Sequence, residues 1–203
     1  MTESTTEPTE ATVRPPLSSE LEDFAQQIAD QVESFLVSLP AIARQDDPGS
    51  AIPLLLLEVS QVLLAGARLG AQQDFEPVQE FQPDVGPEAE VEELRLALAT
   101  MLEDVDTYSF VFDPYQPDVV DSQLSDDLCS IAADLENGLR HFRTGNVREA
   151  LWWWQFSYVN SWGNLAGAAL NALITVVTHD RLDTEFTGED EVVAVADEIL
   201  GEA

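Results

Sequence analysis

Ser18–Leu39 reads SSELEDFAQQIADQVESFLVSL, and the spacing of its apolar residues decides the fold class. Leu21, Phe24, Ile28, Val32, Phe35 and Leu39 recur at steps of three and four, one apolar stripe of an α-helix, while Glu22, Asp23, Gln26, Asp30 and Glu33 lie off it. Ser18 or Ser19 is the expected N-cap, with Glu22 three residues after Ser19 as in a capping box. Pro40 should bend or end the helix near Leu39.

The same period continues outward from this helix. After a turn at Gln45–Ser50, Pro53 suits the first turn of a second helix running to about Gly70. That segment is apolar nearly all round, so it is expected to be the central, buried helix. Ala71–Pro87 has no helical period but carries Phe75 and Phe81, and should drape over the surface on those anchors. Glu88–Phe112 reads as a third helix, with Val91, Leu94, Leu98, Met101, Val105, Tyr108 and Phe112 as its stripe, stopped by Asp113 and Pro114. Asp118–Arg143 reads as a fourth, with Leu124, Leu128, Ile131, Leu135 and Phe142 inward and Gly145 at its end. Val147–Thr178 reads as a long fifth helix, rich in aromatics at first and in small residues later. No strand alternation is convincing and no repeat stands out. The expectation is an all-α bundle of about five helices in a single domain. It would span 19–182, between a disordered tail over 1–18 and an acidic tail over 183–203 that holds at most a short helix.

Composition constrains function more than fold. The 203 residues include 39 acids and eight bases, every base an Arg, for a formal charge of −31. Setting aside the eight acids of the last 21 residues, and the three acids and one Arg of the first 18, leaves 28 acids against seven Arg. The charge therefore belongs to the core as well as the tails. It repels phosphates and anionic membranes, so neither direct nucleic-acid binding nor membrane binding is expected. It favours a basic protein partner. Met1–Glu10 lacks the basic and apolar regions of a signal peptide. Ala51–Gly70, the most apolar window, contains Glu58, Gln61 and Arg68, which are costly in lipid. A cytoplasmic location is the expectation. Cys129, the one cysteine, reads as a small packing residue.

Two constellations are candidates for chemistry. Asp127 and Asp134 flank the apolar stripe of the fourth helix, seven residues and thus roughly 10.5 Å apart along its axis. They are too far apart for a dyad, though each suits a ligand role beside groups from other helices, or that of a solvated flank. In the fifth helix, Ser157, Asn160, Asn164, Asn171, Thr175 and Thr178 form a neutral polar stripe. Such a stripe suits a small-molecule cavity, interhelical hydrogen bonds or solvent. The candidate binding residues are Asp127, Asp134, Trp154 and Asn164, with no catalytic or metal-ligating set and no cofactor. His141 and His179 have no ligand partner at helical spacing, and no phosphate loop, Cys/His cluster or G-x-S-x-G occurs.

Leu124-Ser-Asp-Asp-Leu128, Ile131, Asp134-Leu135, Gly138-Leu139, Glu149-Ala-Leu-Trp152, Phe156 and Trp162-Gly163 resemble an uncharacterised, mainly actinobacterial family of unknown function. Phe24-Ala25, Gln31–Phe35, Pro48–Ser50, Leu54–Ser60 and Phe112–Tyr115 are similar to it too. The likeness covers about 19–182 and implies a bacterial helical protein with no assigned activity. Members of that family tend to carry an acid at Ser130, a His at Leu165 and an Arg at Asn171, so the resemblance implies that any polar site built on those positions is reduced here. The leading expectation is a non-enzymatic acidic protein that binds a basic partner. The alternative is a metal-dependent hydrolase or small-molecule binder between the fourth and fifth helices.

Overall fold

The computed structural model describes residues 17–77, 86 and 89–201, with side chains described through Leu182. Phe81 and most of the tail over 1–18 lie outside the described residues. The described residues form six α-helices and one β-hairpin: α1 Ser19–Ile42, α2 Pro48–Gly70, α3 Glu92–Leu102, β1 Thr107–Asp113, β2 Gln116–Gln123, α4 Leu124–Arg143, α5 Val147–Ser157 and α6 Gly163–Gly201.

The first helix forms as its pattern dictates. Ser18 is the N-cap, its Oγ accepting from the Leu21 N–H. Ala25, Ile28, Val32, Phe35 and Leu39 are buried. The helix continues through Pro40 to Ile42. Asp47 caps α2, accepting from the Gly49 N–H and the Ser50 hydroxyl, with Pro48 in its first turn.

Among the described residues α2 is the one helix long and apolar enough to cross a membrane, by length and composition alone. It packs on α1, α5 and α6 and touches α3, but one face stays open: Leu54, Leu57 and Leu64 face outward, Leu64 being 64% exposed. An apolar count all round a helix does not say that every side is covered. The more fully buried helix is α4, which touches α1, α3, α5, α6 and β2 and buries Leu124, Leu128, Ile131, Leu135 and Leu139.

The all-α expectation needs correcting at Thr107–Gln123. The third helix stops at Leu102, and Glu103 takes a positive φ of 47°. The chain then pairs with itself as a two-stranded antiparallel hairpin, Tyr108 opposite Ser122 and Phe110 opposite Val120. Val105, Tyr108 and Phe112 do fall at helical spacing. But Tyr108, Phe110 and Phe112 also alternate, and it is the period of two that wins: Tyr108 and Phe110 stack with ring centroids 5.6 Å apart, and Phe112 follows at 6.4 Å. The turn is sealed by the Tyr115 N–H donating to Asp113 Oδ1. The fourth helix consequently begins at Leu124 rather than Asp118.

The fifth predicted helix is interrupted. A π turn at Tyr158–Trp162 separates α5 from α6. It rotates the register of everything after it, so the predicted polar stripe breaks: Ser157 is buried, while Asn164 and Asn171 are exposed. Ser157 Oγ donates to the Trp153 carbonyl and accepts from Trp162 Nε1–H. A side chain at Gly163 would overlap the Tyr158 carbonyl, so glycine is what lets the wider π turn re-enter α-helix there. The backbone of α6 then runs without a break through the segment expected to be a tail.

Candidate functional site

Three features of the molecule bear on function: the hairpin, the polar cluster that anchors it, and the groove between it and α6.

The anchor is built from acids that local spacing does not bring together. Gln123, at the N-cap position of α4, provides no side-chain cap. Asp106 supplies one from across the hairpin: its Oδ1 accepts from the Ser125 N–H at 2.8 Å and its Oδ2 from the Ser125 hydroxyl at 2.9 Å. One turn on, Asp127 is buried and accepts from the Tyr108 hydroxyl at 2.6 Å and from Ser122 Oγ at 2.9 Å. The N-terminus of α4 favours both carboxylates. Burial raises the Asp127 carboxyl above its ordinary value, against the opposing pull of the Tyr108 and Ser122 hydrogen bonds. Burial first, and then the carboxylate beside it, push the Tyr108 phenol upward. Asp127 thus ties both strands of the hairpin to the helix that follows. Asp126, its neighbour, points outward to Arg95, with 3.6 Å between carboxylate and guanidinium.

The other candidates occupy different places. Asp134 lies two turns further along α4, facing Ser161 of the π turn. Burial raises its carboxyl while the Ser161 hydrogen bond lowers it. Its Oδ2 is buried with no hydrogen-bond partner among the described residues, as is the indole N–H of Trp153 on α5. Trp154 is fully buried, its Nε1–H donating to the Leu135 carbonyl at 3.0 Å. None of the three consecutive tryptophans is exposed; Trp152 stacks on Phe156 and Trp153 on His141. Asn164 lies in the groove beside the hairpin. The four residues therefore do not line one cavity: Asp127 serves the hairpin anchor, Asp134 and Trp154 the α4–α5 seam, and Asn164 the groove. Among the described residues no three His, Cys, Asp or Glu side chains are grouped to hold a metal ion.

The groove holds about 500 Å³ between β1 and α6. Phe110, Phe112 and Pro114 form the hairpin wall, and Asn164, Gly167 and Asn171 the helix wall. Two Asn of the predicted neutral stripe do therefore line a cavity, though its far wall is a hairpin that the sequence reading did not contain. On the opposite side, Gln155 is a functional core residue that sequence reasoning missed. Its Oε1 accepts from the Phe75 N–H at 2.8 Å, and its Nε2–H donates to the Leu69 carbonyl at 2.9 Å. It pins the start of the Ala71–Pro87 connection, and Phe75 packs on the core as expected of an anchor.

The class this architecture defines is a helical bundle that presents a two-stranded ribbon. The fold is similar to that of protein BF1032 from Bacteroides fragilis, with a TM-score of 0.60 and 19% identity over 74% of this chain and 90% of that one. At that identity the likeness establishes the fold alone. Residues 19–179 match DUF5063, a domain of unknown function, and the chain belongs to that family. No curated protein matches it.

Proposed function

We propose that this protein is a non-enzymatic, acidic interaction protein that docks a basic partner protein, with the β1–β2 hairpin as its contact element. The observation that carries this reading is what the hairpin gives to water. Tyr115 is 93% exposed and Val119 69%, with Phe112, Val111 and Val120 also outward. Asp113, Asp118 and Asp121 lie among them, and Thr107–Gln123 contains no basic residue. Exposed apolar side chains gathered on one projecting element are a common mark of an interaction site, and aromatic anchors carry a large share of contact energy. The acids, within a chain of charge −31, select a positive partner and make the encounter salt-dependent.

The test is affinity capture from the native host with the full chain and with a hairpin variant carrying Phe112→Ser, Tyr115→Ser and Val119→Ser. The expected result is a basic protein retained by wild type at low ionic strength, lost with the variant and lost on raising salt. Captured proteins that are acidic, or that the hairpin variant retains equally, count against the reading.

A second reading, a small-molecule or metal-dependent site between α4 and α5, is favoured by one observation: Asp134 Oδ2 and the Trp153 N–H are both buried near that seam with no partner among the described residues. Calorimetry with Mg²⁺ or Mn²⁺ showing heat for wild type that Asp134→Ala abolishes supports it. Equal traces for the two proteins dismiss it.

A further inference from the structure

We infer that the groove between β1 and α6 receives an extended basic segment of the partner, which adds as a third strand to the open edge of β1. The inference rests on the interaction reading above and specifies its chemistry.

The edge is available. Among the described residues the sheet has two strands and β1 is paired on one side only, and every second residue of it turns its N–H and C=O away from β2. Four consecutive residues, Ser109 to Phe112, line the groove. Side chains on a strand alternate between faces, so a space bordered by four residues in a row is one that the main chain of β1 also reaches. At about 3.3 Å per residue those four span roughly 13 Å, enough for four or five residues of an added strand.

The helix wall fits a main chain. Asn164 and Asn171 are two turns apart on α6, roughly 10.5 Å along its axis, with Gly167 between them. Each amide can both donate and accept, as the outer groups of a peptide require. A Cβ at Gly167 would meet nothing within 4 Å. Packing therefore does not demand glycine there, and its missing side chain adds width to the groove at the level of the strand edge. At Gly66 and Gly138, by contrast, a Cβ would overlap aromatic rings.

Charge chooses the occupant. A second copy of this chain would set beside this hairpin another that carries Asp113, Asp118 and Asp121 and no basic residue, and like charges on neighbouring strands repel. The groove lining is itself uncharged; the carboxylates stand around it, Asp113 between Phe112 and Pro114 in the chain and Asp121 across the ladder, accepting from Ser109 Oγ at 2.7 Å. A segment alternating basic and apolar residues meets both properties of the site. Its basic side chains reach the hairpin carboxylates, and its apolar ones cover the Phe110 and Phe112 side.

The experiment uses fluorescence anisotropy with a labelled arginine–valine alternating hexapeptide, the same peptide N-methylated at every second amide, a glutamate–valine analogue, and polyarginine. The proteins are the full wild-type chain and Gly167→Leu, whose fold is checked by circular dichroism. Saturable binding of the parent peptide is expected at low salt, weakened at least tenfold by N-methylation and at least tenfold by Gly167→Leu, with no binding of the glutamate analogue. Equal binding of parent and N-methylated peptides to wild type overturns strand addition while leaving the basic-partner reading intact, and this arm does not depend on the variant folding. Failure of both the arginine peptide and polyarginine to bind overturns the two together.

Discussion

Two helical glycines separate a packing requirement from a dispensable one, and replacing each with alanine should move stability in opposite directions. Gly138 on α4 faces the fully buried Trp154, and a Cβ there would overlap indole Nε1 and Cδ1. The indole cannot retreat cheaply, because it is held by its hydrogen bond to the Leu135 carbonyl and packs on Phe142 at 6.0 Å between centroids. Overpacking of this kind costs about 1–3 kcal/mol. Stranding the indole N–H and its carbonyl acceptor costs about 1–3 kcal/mol more. Alanine returns about 1 kcal/mol of helix propensity. The net loss for Gly138→Ala is then about 3 kcal/mol, which at a urea m-value of about 2 kcal/mol/M lowers the unfolding midpoint by about 1.5 M. Gly167→Ala keeps the propensity gain with no clash, and should raise the midpoint by about 0.5 M on the same scale. The assay is equilibrium urea unfolding followed by tryptophan fluorescence and circular dichroism. A Gly138→Ala midpoint at or above wild type would refute the packing argument; a Gly167→Ala midpoint well below it would refute the claim that the groove is open.

Gln155→Leu removes the partner of the Phe75 N–H and leaves the Leu69 carbonyl only its backbone donor at Gln72, a loss of about 1–3 kcal/mol. It should speed limited proteolysis within 71–91, read by mass spectrometry; cleavage there at the wild-type rate would contradict the pinning role. Burial pushes the Cys129 thiol up to about 11, leaving on the order of one molecule in a thousand as thiolate at pH 8. A thiol-reactive dye should therefore titrate Cys129 only after denaturation, and rapid labelling of native protein would be inconsistent with its burial. For Asp127, burial raises the folded-state carboxyl above its unfolded value. The folded chain then holds the proton more tightly, so this contribution to stability is complete below about pH 4 and fades as pH rises through the folded value. Asp127→Asn keeps an acceptor for Tyr108 and lacks that titration. Its stability relative to wild type should improve between pH 4 and pH 7, and a difference that is flat or falling with pH would show that Asp127 does not titrate this way.

What the sequence disclosed follows from which forces are local. The stripe from Leu21 to Leu39 and the α4 stripe from Leu124 to Leu135 are readable because burial of a helix face imposes its own period on the chain. The hairpin was missed because Val105, Tyr108 and Phe112 satisfy a helical spacing and a strand alternation together, and pairing between Tyr108 and Ser122 is invisible to either count. The anchor was half legible. Asp127 is singled out by its place beside an apolar stripe, whereas the capping role of Asp106 depends on Ser125, 19 residues away. The π turn explains the polar stripe: one inserted position sends Ser157 inward, yet Asn164 and Asn171 remain together because both follow it. Gln155 offered no signal, being one polar residue in an aromatic helix whose partners belong to a remote connection.

The hairpin's stability should be graded from base to tip, and that gradient bears on how it works. A two-stranded ribbon is marginal in water by itself, so this one persists through what holds its ends. At the base, Tyr108 and Ser122 both donate to Asp127, and the Leu124 N–H donates to the Asp106 carbonyl at 2.8 Å. These bonds also complete the first turn of α4, so opening the base would uncap a central helix. Beyond Phe110 the corresponding side chains face water, and a register irregularity between Val111 and Asp113 interrupts the ladder. Native-state hydrogen exchange should therefore show Tyr108–Ser109 and Asp121–Gln123 opening only with α4, while Val111–Val119 opens locally at much lower free energy. Tyr108→Phe should bring the base down toward the tip without moving the tip itself. Uniform protection along both strands, or a base that exchanges independently of α4, would mean that the ribbon is held by its own pairing and that the Asp127 anchor is not what supports it.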